Sequence, residues 1–375
     1  MTPSPAFGLV GGYGAAGRIV AAELWKSTGA SILIAGRDMA KARAIAAEFD
    51  HRASAAQLDV LDDRSLNGFC ARCSLIVNCA GPVTLLQDRV AQAAFRARCH
   101  YVDAAGMSLV KERMLPHDRA IEALGLSFVI SAGWNPGLSE FLPLYADAQA
   151  RARMDMIESL SVYQADCGEW STSALLDAAA YIHKSGLQSP GYFQKGEWTR
   201  VKLSQASRQV DLGDPIGSRR FSLHSTPELR ELGQRLNDCD FFPYAYVSGL
   251  RTIMAITLMA SVPLPQTLAV HMVRDVFRRN RLPGANEIGG FVVAQVLGSS
   301  QAQRSSLTAR IVYKRGQDYW IHGVTLATVA RMVAERRGVK GGVHFLADAV
   351  DPNVLMPELR KSGVEYCENF DPYRA

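Results

Sequence analysis

Along the first 130 residues, short apolar runs alternate with stretches whose apolar positions recur every three to four residues. That alternation is the pattern of a parallel sheet wound on both faces by helices. "FGLVG" reads as a first strand, followed by a helix over about residues 15–28; "SILIAG" is a second, and its helix opens on Asp38, a residue suited to cap it. "AAQLDV", "SLIVNCAG", "CHYVDAAG" and "GLSFVISAG" follow as strands three to six. From about residue 155 the rhythm changes. "ESLSVYQAD" reads as a strand, "STSALLDAAAYIHKSG" as a helix and "YFQKGEWTRVKL" as a hairpin around Lys195-Gly196. Two long strands, "GGFVVAQVLG" and "SLTARIVYKR", precede a helix, "TLATVARMVAERRG". The expected architecture is α/β: a Rossmann doubly wound parallel sheet over residues 1–145, completed by 340–375, and a second α+β substrate-binding and dimerisation domain over 146–339.

The first strand runs into Gly12-Tyr13-Gly14-Ala15-Ala16-Gly17, a G-x-G-x-x-G set between an apolar strand and an amphipathic helix. In that context the spacing grips a dinucleotide. Gly12 permits a tight turn, Gly14 lets the backbone approach a pyrophosphate, and Gly17 lets helix and strand pack closely. The helix N-terminus offers unpaired N–H groups to the anion. The end of the second strand selects the cofactor. NAD enzymes usually place an acid there for the ribose hydroxyls, whereas this chain has Gly36 followed by Arg37. A guanidinium pairs with the 2′-phosphate that an acid would repel, so NADPH is the expected cofactor. Ligands of such sheets lie beyond the carboxyl ends of the strands. Asp59 and Val60 are therefore expected beside the adenine, Ala80, Gly81 and Pro82 beneath the nicotinamide ribose, and Ala104, Ala105 and Gly106 near the nicotinamide ring.

Composition narrows the function class. With 375 residues, 48% of them hydrophobic and 21% charged, the chain has room for two packed domains. No apolar run is long enough to span a bilayer and no basic leader is read, so a cytoplasmic protein with no membrane partner is expected. Seven cysteines are an odd number, and "CARC" has no second pair to match it; reduced thiols and no metal site are expected. A net charge of +5 without aromatic interleaving gives no nucleic-acid signature. The densest basic run, Arg274, Arg278, Arg279 and Arg281, reads as a solvated helix face or as a surface for an acidic partner.

"GGYGAAGR", "AGR", "VNCAGP", "YVDAAG" and "AGWNPGLSEFLP" stand in the order seen in the saccharopine dehydrogenase-like reductases, whose NADP-binding domain residues 1–145 resemble. "GVHFLADAVDPNVLMPELRKSGV" resembles that family's C-terminal return to the cofactor domain, while residues 150–285 resemble no family. The resemblance implies an NADPH-dependent reductase. Relatives make saccharopine- or carboxynorspermidine-type products through an imine, or reduce enoyl groups in trans for polyketide synthases. Where that family often carries an acid before Pro-Gly, this chain has Asn135, which is placed with the cofactor-binding residues.

Hydride transfer is the cofactor's work, which leaves the protein to position the acceptor carbon and manage one proton. Asp166, Thr172, Tyr181 and His183 are the candidate catalytic donors, each with a structural reading beside it, Thr172 as a helix-start residue and the rings as packing. Residues 131–150 and 158–183 contain no Arg or Lys but carry Trp134, Tyr163, Trp170 and Tyr181, which points to an apolar substrate. The leading reading is reduction of a small-molecule imine of the thiazolinyl kind, tethered to a carrier protein in siderophore assembly. An opine- or saccharopine-type amino-acid imine reductase, a trans-acting enoyl reductase and an NADPH-binding sensor without turnover are the alternatives. The two late strands alternate too weakly for a sheet with one wet face, so a homodimer through the second domain is expected.

Overall fold

The computed structural model describes residues 6–185, 190–301 and 303–372. The chain divides into two compact units, residues up to 138 with 319–364, and residues 139–318 with the segment from 365 onward.

The first unit holds seven parallel strands: β1 (Ala6–Val10), β2 (Ser31–Gly36), β3 (Ala53–Gln57), β4 (Leu75–Asn78), β5 (His100–Asp103), β6 (Ser127–Ile130) and, from the far end of the chain, Gly342–Phe345. Their spatial order runs from Gly342–Phe345 through β6, β5, β4, β1 and β2 to β3. The order reverses direction beside β1, which puts the switch point of a doubly wound sheet there. Helices cover both faces, so the strands are continuous apolar runs rather than alternating ones; Leu9, Ile32, Ile34, Ile76 and Val77 are fully buried. Helix α1 (Ala15–Ser27) buries Gly17, Val20, Ala21 and Leu24, one helical stripe.

The second unit is built on a nine-stranded mixed sheet. Its middle strand, β7 (Met156–Asp166), pairs in parallel with β12 (Asp240–Tyr246) and antiparallel with β13 (Ile288–Ser300). Between β7 and β12 in the chain lie β8 (Gly191–Gln194), β9 (Glu197–Arg200), β10 (Ser207–Asp211) and β11 (Ser218–Leu223). β13 continues to β14 (Gln303–Lys314), which pairs with the last described strand, Tyr366–Pro372. The hairpin of β8 and β9 turns at Lys195 and Gly196, both at positive φ (47° and 86°), the geometry of a tight two-residue loop. Helices Thr172–Ser185, Gly249–Ser261 and Gln266–Arg279 pack together around Leu175, Met259, Val270 and Val273.

The expected domain limits need correction. Helix Asp318–Ala334 begins seven residues before the run that signals it in the sequence. From Tyr319 onward it belongs to the first unit, where Gly323 sits against Ile19 of α1. The chain's end does not all return to the cofactor unit, because Tyr366–Pro372 joins the second sheet through backbone pairing with β14. The first boundary lies at residue 138 instead of 145, at the start of helix Leu138–Arg151. The expectation of a sheet buried on both sides holds for β13 but not for β14, where Leu307, Ala309, Ile311 and Tyr313 are buried and Thr308, Arg310 and Val312 between them stay half-exposed.

Candidate cofactor site and acid cluster

At the end of β1, Gly11 adopts φ 74°, a left-handed conformation that favours glycine. The N–H groups of Gly11 and Gly12 both donate to Ala35 O, at 2.9 and 3.0 Å. A Cβ on Gly17 would fall 2.7 Å from Gly12 Cα, so only glycine lets α1 start this close to the strand. The helices after β2 and β3, Met39–Ala46 and Asp63–Cys70, are capped by the side chains of Asp38 and Asp62. Helix α1 has Gly14 at its cap and no side-chain cap, which leaves its first-turn N–H groups, those of Ala15, Ala16 and Gly17, facing outward for an anion.

The end of β2 shows why no acid stands there. The Tyr13 ring occupies the space a side chain at 36 would need, with Cζ 2.7 Å from an ideal Cβ on Gly36. Tyr13 Oη also accepts the Asp38 N–H at 3.2 Å. The Asp38 carboxylate takes the N–H groups of Ala40 and Lys41 at 3.0 and 3.1 Å, and these backbone bonds hold its pKa below the ordinary value. It is spent on the helix. Arg37 is exposed and makes no ion pair among the described residues. Asp59 turns back to accept the Leu61 N–H at 2.9 Å, and Val60 is buried.

Three loops beyond the carboxyl ends of β4, β5 and β6 are joined by one polar network. Asn78 Oδ1 accepts the Ala80 N–H at 3.1 Å, and its amide donates to Tyr101 Oη at 3.2 Å. Asp103, 1% exposed, accepts the N–H groups of Gly106 (2.5 Å) and Ser131 (2.9 Å) on Oδ1. Ser131 Oγ in turn accepts the Met107 N–H at 2.9 Å. Burial pushes Asp103 up to about 6 against these backbone bonds. The loop after β6 is held from below by His322, whose Nδ1 accepts the Trp134 N–H at 3.1 Å. Burial lowers His322 to about 4, so the ring is neutral and Nδ1 is free of a proton. Ala80, Gly81, Pro82, Ala104, Ala105, Gly106 and Asn135 all lie on these loops. Tyr101, Ser131 and His322, which brace them, escaped the sequence analysis. The only signals were a polar residue closing an apolar strand and a histidine inside an apolar helix.

Residues 8–129 match the saccharopine dehydrogenase NADP-binding domain family. That unit is a saccharopine dehydrogenase-type NADP-binding domain. Saccharopine dehydrogenase (L-Glu forming) from Saccharomyces cerevisiae shares the fold, with a TM-score of 0.68 over 98% of this chain and 100% of that one at 13% identity. An oxidoreductase domain protein from Kribbella flavida (12% identity, TM-score 0.47, 100% of both chains) and a dehydrogenase from Clostridium difficile (8%, 0.43, 95% and 98%) are looser likenesses. No curated protein matches the sequence. The saccharopine dehydrogenase-like cofactor unit fits NADP(H): an uncapped helix N-terminus after a glycine turn, an unencumbered Arg37, and no acid at 36. Among the described residues no cluster is placed to hold a metal ion, and no helix is long and apolar enough to cross a membrane.

The four candidate donors of the second unit do not form one constellation. Asp166 ends β7, and Thr172 and His183 are exposed at opposite ends of helix Thr172–Ser185, about 16 Å apart at 1.5 Å per residue. Ser171 Oγ, not Thr172, accepts a first-turn N–H, that of Ala174. His183 Nδ1 lies 3.4 Å from Met259 O, a packing contact between helices. Tyr181 sits half-buried two residues away, on another face of the helix. Only Asp166 is in a charged cluster: its Oδ1 accepts the Gly168 N–H at 3.2 Å and the Tyr313 hydroxyl at 3.3 Å. Desolvation carries it up to about 6 despite those bonds, and the nearby Asp318 adds to the rise.

The aromatic lining expected of the cleft is structural. Trp134 and Tyr163 are fully buried, and Trp170 stacks on Phe277 with ring centroids 3.8 Å apart. Folding also brings charge where the segments themselves have none. Arg208 of β10 lays its guanidinium 5.0 Å from the Tyr163 ring and 4.4 Å from that of Tyr244, and donates to Ser161 Oγ at 3.0 Å.

Proposed function

We propose that this oxidoreductase reduces a carbon–nitrogen double bond with NADPH. The observation that carries the reading is Asp166, a carboxyl whose surroundings raise it to about 6. An imine accepts hydride readily once its nitrogen is protonated, and an acid with a pKa near the working pH suits that transfer. Bound NADPH supplies the hydride. The chain's own part is to hold the dinucleotide at the α1 N-terminus and Arg37, to fix the three loops through Asn78, Asp103 and Ser131, and to deliver a proton from Asp166.

Two substrate classes each have an observation in their favour. A thiazolinyl-type cyclic imine on a carrier protein is supported by the basic end of the helix pair Gly249–Ser261 and Gln266–Arg279. Arg251, Arg278, Arg279 and Arg281 are exposed there, with Asp275 the single acid across residues 249–281. An acidic carrier would be steered to such a surface. A free amino-acid imine of the opine or saccharopine type is supported by Arg208 on its aromatic floor, a guanidinium able to meet a carboxylate. The test is NADPH consumption with a cyclic imine, with a keto acid plus an amino acid, and with an enoyl thioester. Turnover of either imine class supports the proposal and chooses between the two. Turnover of the enoyl thioester alone, or tight NADPH binding with no turnover, overturns it.

A further inference from the structure

Arg37 accounts for the acceptance of a 2′-phosphate, but not for the exclusion of a bare ribose. Tyr13 stands inside the glycine turn, between Gly12 and Gly14, and its ring reaches across to the end of the neighbouring strand β2. An ideal Cβ on Gly36 would lie 2.7 Å from Tyr13 Cζ and 2.9 Å from its hydroxyl oxygen, and would collide with Cε1. The backbone does not itself call for glycine there. Gly36 lies outside the left-handed region and is the last residue of a regular strand, in register with Gln57 of β3. Side chains are ordinarily admitted at such a position. The obstacle at 36 is the ring.

The hydroxyl end of the same ring bears on the residue that follows. Tyr13 Oη accepts the Asp38 N–H at 3.2 Å. On the other side, Gln57 Nε2 donates to the Arg37 carbonyl at 3.3 Å, and the Gly36 carbonyl accepts the Leu58 N–H at 2.9 Å. The peptide groups flanking Arg37 are thus tied to the glycine turn at one end and to β3 at the other. The Asp38 carboxylate is used by its helix, and Lys41 turns to Asp38 Oδ2 at 3.6 Å. The Arg37 side chain leaves this braced corner toward solvent.

We propose that Tyr13 is the specificity-determining residue of this cofactor unit. Its ring bars the acid that would take the hydroxyls of an unphosphorylated ribose, and its hydroxyl holds the backbone that presents Arg37 to a 2′-phosphate. Positions 13 and 36 form one switch: 36 is glycine because 13 is tyrosine. An acid introduced at 36 meets the ring first. The ring, the far end of a flexible side chain, turns aside only by releasing the Asp38 N–H, which loosens the Arg37 segment as well. Neither cofactor gains from that change alone. With a small residue at 13, the same acid has room for the ribose bonds it makes in NAD enzymes. Exclusion of NAD is therefore a steric matter, separate from the attraction between Arg37 and phosphate, and it holds whichever bond the enzyme reduces.

The test is a double-mutant cycle on Tyr13→Ala and Gly36→Asp in the full-length protein, read by fluorescence titration of NADH and NADPH at one salt concentration. Gly36→Asp alone should leave NADH no tighter than in the parent and weaken NADPH about tenfold or more. In the Tyr13→Ala background the same substitution should tighten NADH about tenfold, the worth of the hydrogen bonds an acid makes to ribose hydroxyls. NADH tightened equally in both backgrounds, or in neither, overturns the proposal. Gly36→Ala isolates the steric half and serves if the aspartate variant does not fold. It should lower the melting temperature and NADPH affinity when Tyr13 is present, and change neither in the Tyr13→Ala background; an equal cost in both overturns the switch. Tyr13→Phe keeps the ring and removes the acceptor of the Asp38 N–H. It should weaken NADPH about threefold and leave NADH unchanged, because only the phosphorylated cofactor uses Arg37. NADPH unchanged, or both cofactors weakened alike, overturns that role of the hydroxyl.

Discussion

Arg37 is where one side chain separates two cofactors. Its guanidinium is exposed and unpaired among the described residues, and Tyr13 blocks the neighbouring position that an NAD-type acid would use. Arg37→Ala should weaken NADPH far more than NADH, by roughly 1.5 to 3 kcal/mol for a lost charge-assisted pair. An equal loss for both, in a fluorescence titration, would show that Arg37 misses the 2′-phosphate. Asp103 and His322 make a second residue-scale prediction because their pKa values move in opposite directions. Asp103 is raised from 3.8 to about 6, so its contribution to stability is full below pH 4 and lost as pH rises through 6. His322 is lowered from 6.5 to about 4, so its contribution is full above pH 6.5 and lost as pH falls through 4. Each is worth about 3 kcal/mol at 1.36 kcal/mol per unit, and between pH 4 and 6.5 they oppose each other. Relative to the parent, Asp103→Asn should therefore lose stability toward pH 4, whereas His322→Gln should gain it. Denaturant unfolding across that range reads the two slopes, and parallel slopes would refute the assignment.

At the scale of elements, the approach of α1 to β1 depends on a glycine that has no room for a methyl group. Gly17→Ala should cost about 1–3 kcal/mol by overpacking, and should weaken NADPH because the helix N-terminus moves with it. Gly29, just beyond the same helix, has nothing within 4 Å of an ideal Cβ, so Gly29→Ala is the matched control and should be neutral or slightly stabilising. Equal melting temperatures for the two variants would contradict this account of the turn. The hairpin of β8 and β9 is another element decided locally, by Lys195 and Gly196 at positive φ. The strands β10, β11 and β12 are not: they are short, polar-flanked and held by cross-strand partners, and no run in the sequence analysis marks them.

At the scale of the whole molecule, the proposals concern partners. We propose a homodimer through the second unit, supported by exposed apolar side chains on helix Gly249–Ser261 and the segment after it, where Met254 is 62% exposed and Ile253, Leu258, Val262 and Leu268 are exposed too. Patches of this kind are usually covered. The burial of β13, which suggested a second copy, is supplied within one chain: Ile216, Leu282 and their neighbours pack on the face of Phe291 and Val293, and Val292, Ala294 and Val296 of the other face are buried as well. Light scattering at micromolar concentration should give twice the chain mass, and Met254→Lys with Leu258→Lys should halve it; a parent protein of single-chain mass would refute the dimer. Reversing Arg278 and Arg281 to Glu should slow a carrier-bound substrate about tenfold and leave a small soluble imine unaffected, since steering acts on the partner and not on the chemistry. Equal effects on both substrates would place these arginines elsewhere in the mechanism.

The cofactor unit was legible because its signals are local. An apolar strand, a glycine turn and an amphipathic helix follow one another within twenty residues, and Gly36-Arg37 closes the next strand. The backbone needs nothing distant to adopt them, so fold class and dinucleotide grip follow from the chain itself. What lay beyond reading is made by residues far apart in sequence. Trp134 meets His322, Asp166 meets Tyr313, and Arg208 lies over Tyr163 and Tyr244. The absence of Arg and Lys from two cleft segments was a true statement about sequence and a poor guide to charge, because β10 delivers a guanidinium from outside them. Likewise Tyr181 and His183, two residues apart in the chain, are parted by the helical turn. Hydrophobic period and turn chemistry are written residue by residue and can be read in order. Which polar groups share a buried site depends on strand order and register, and these are settled only when the whole sheet closes its hydrogen bonds.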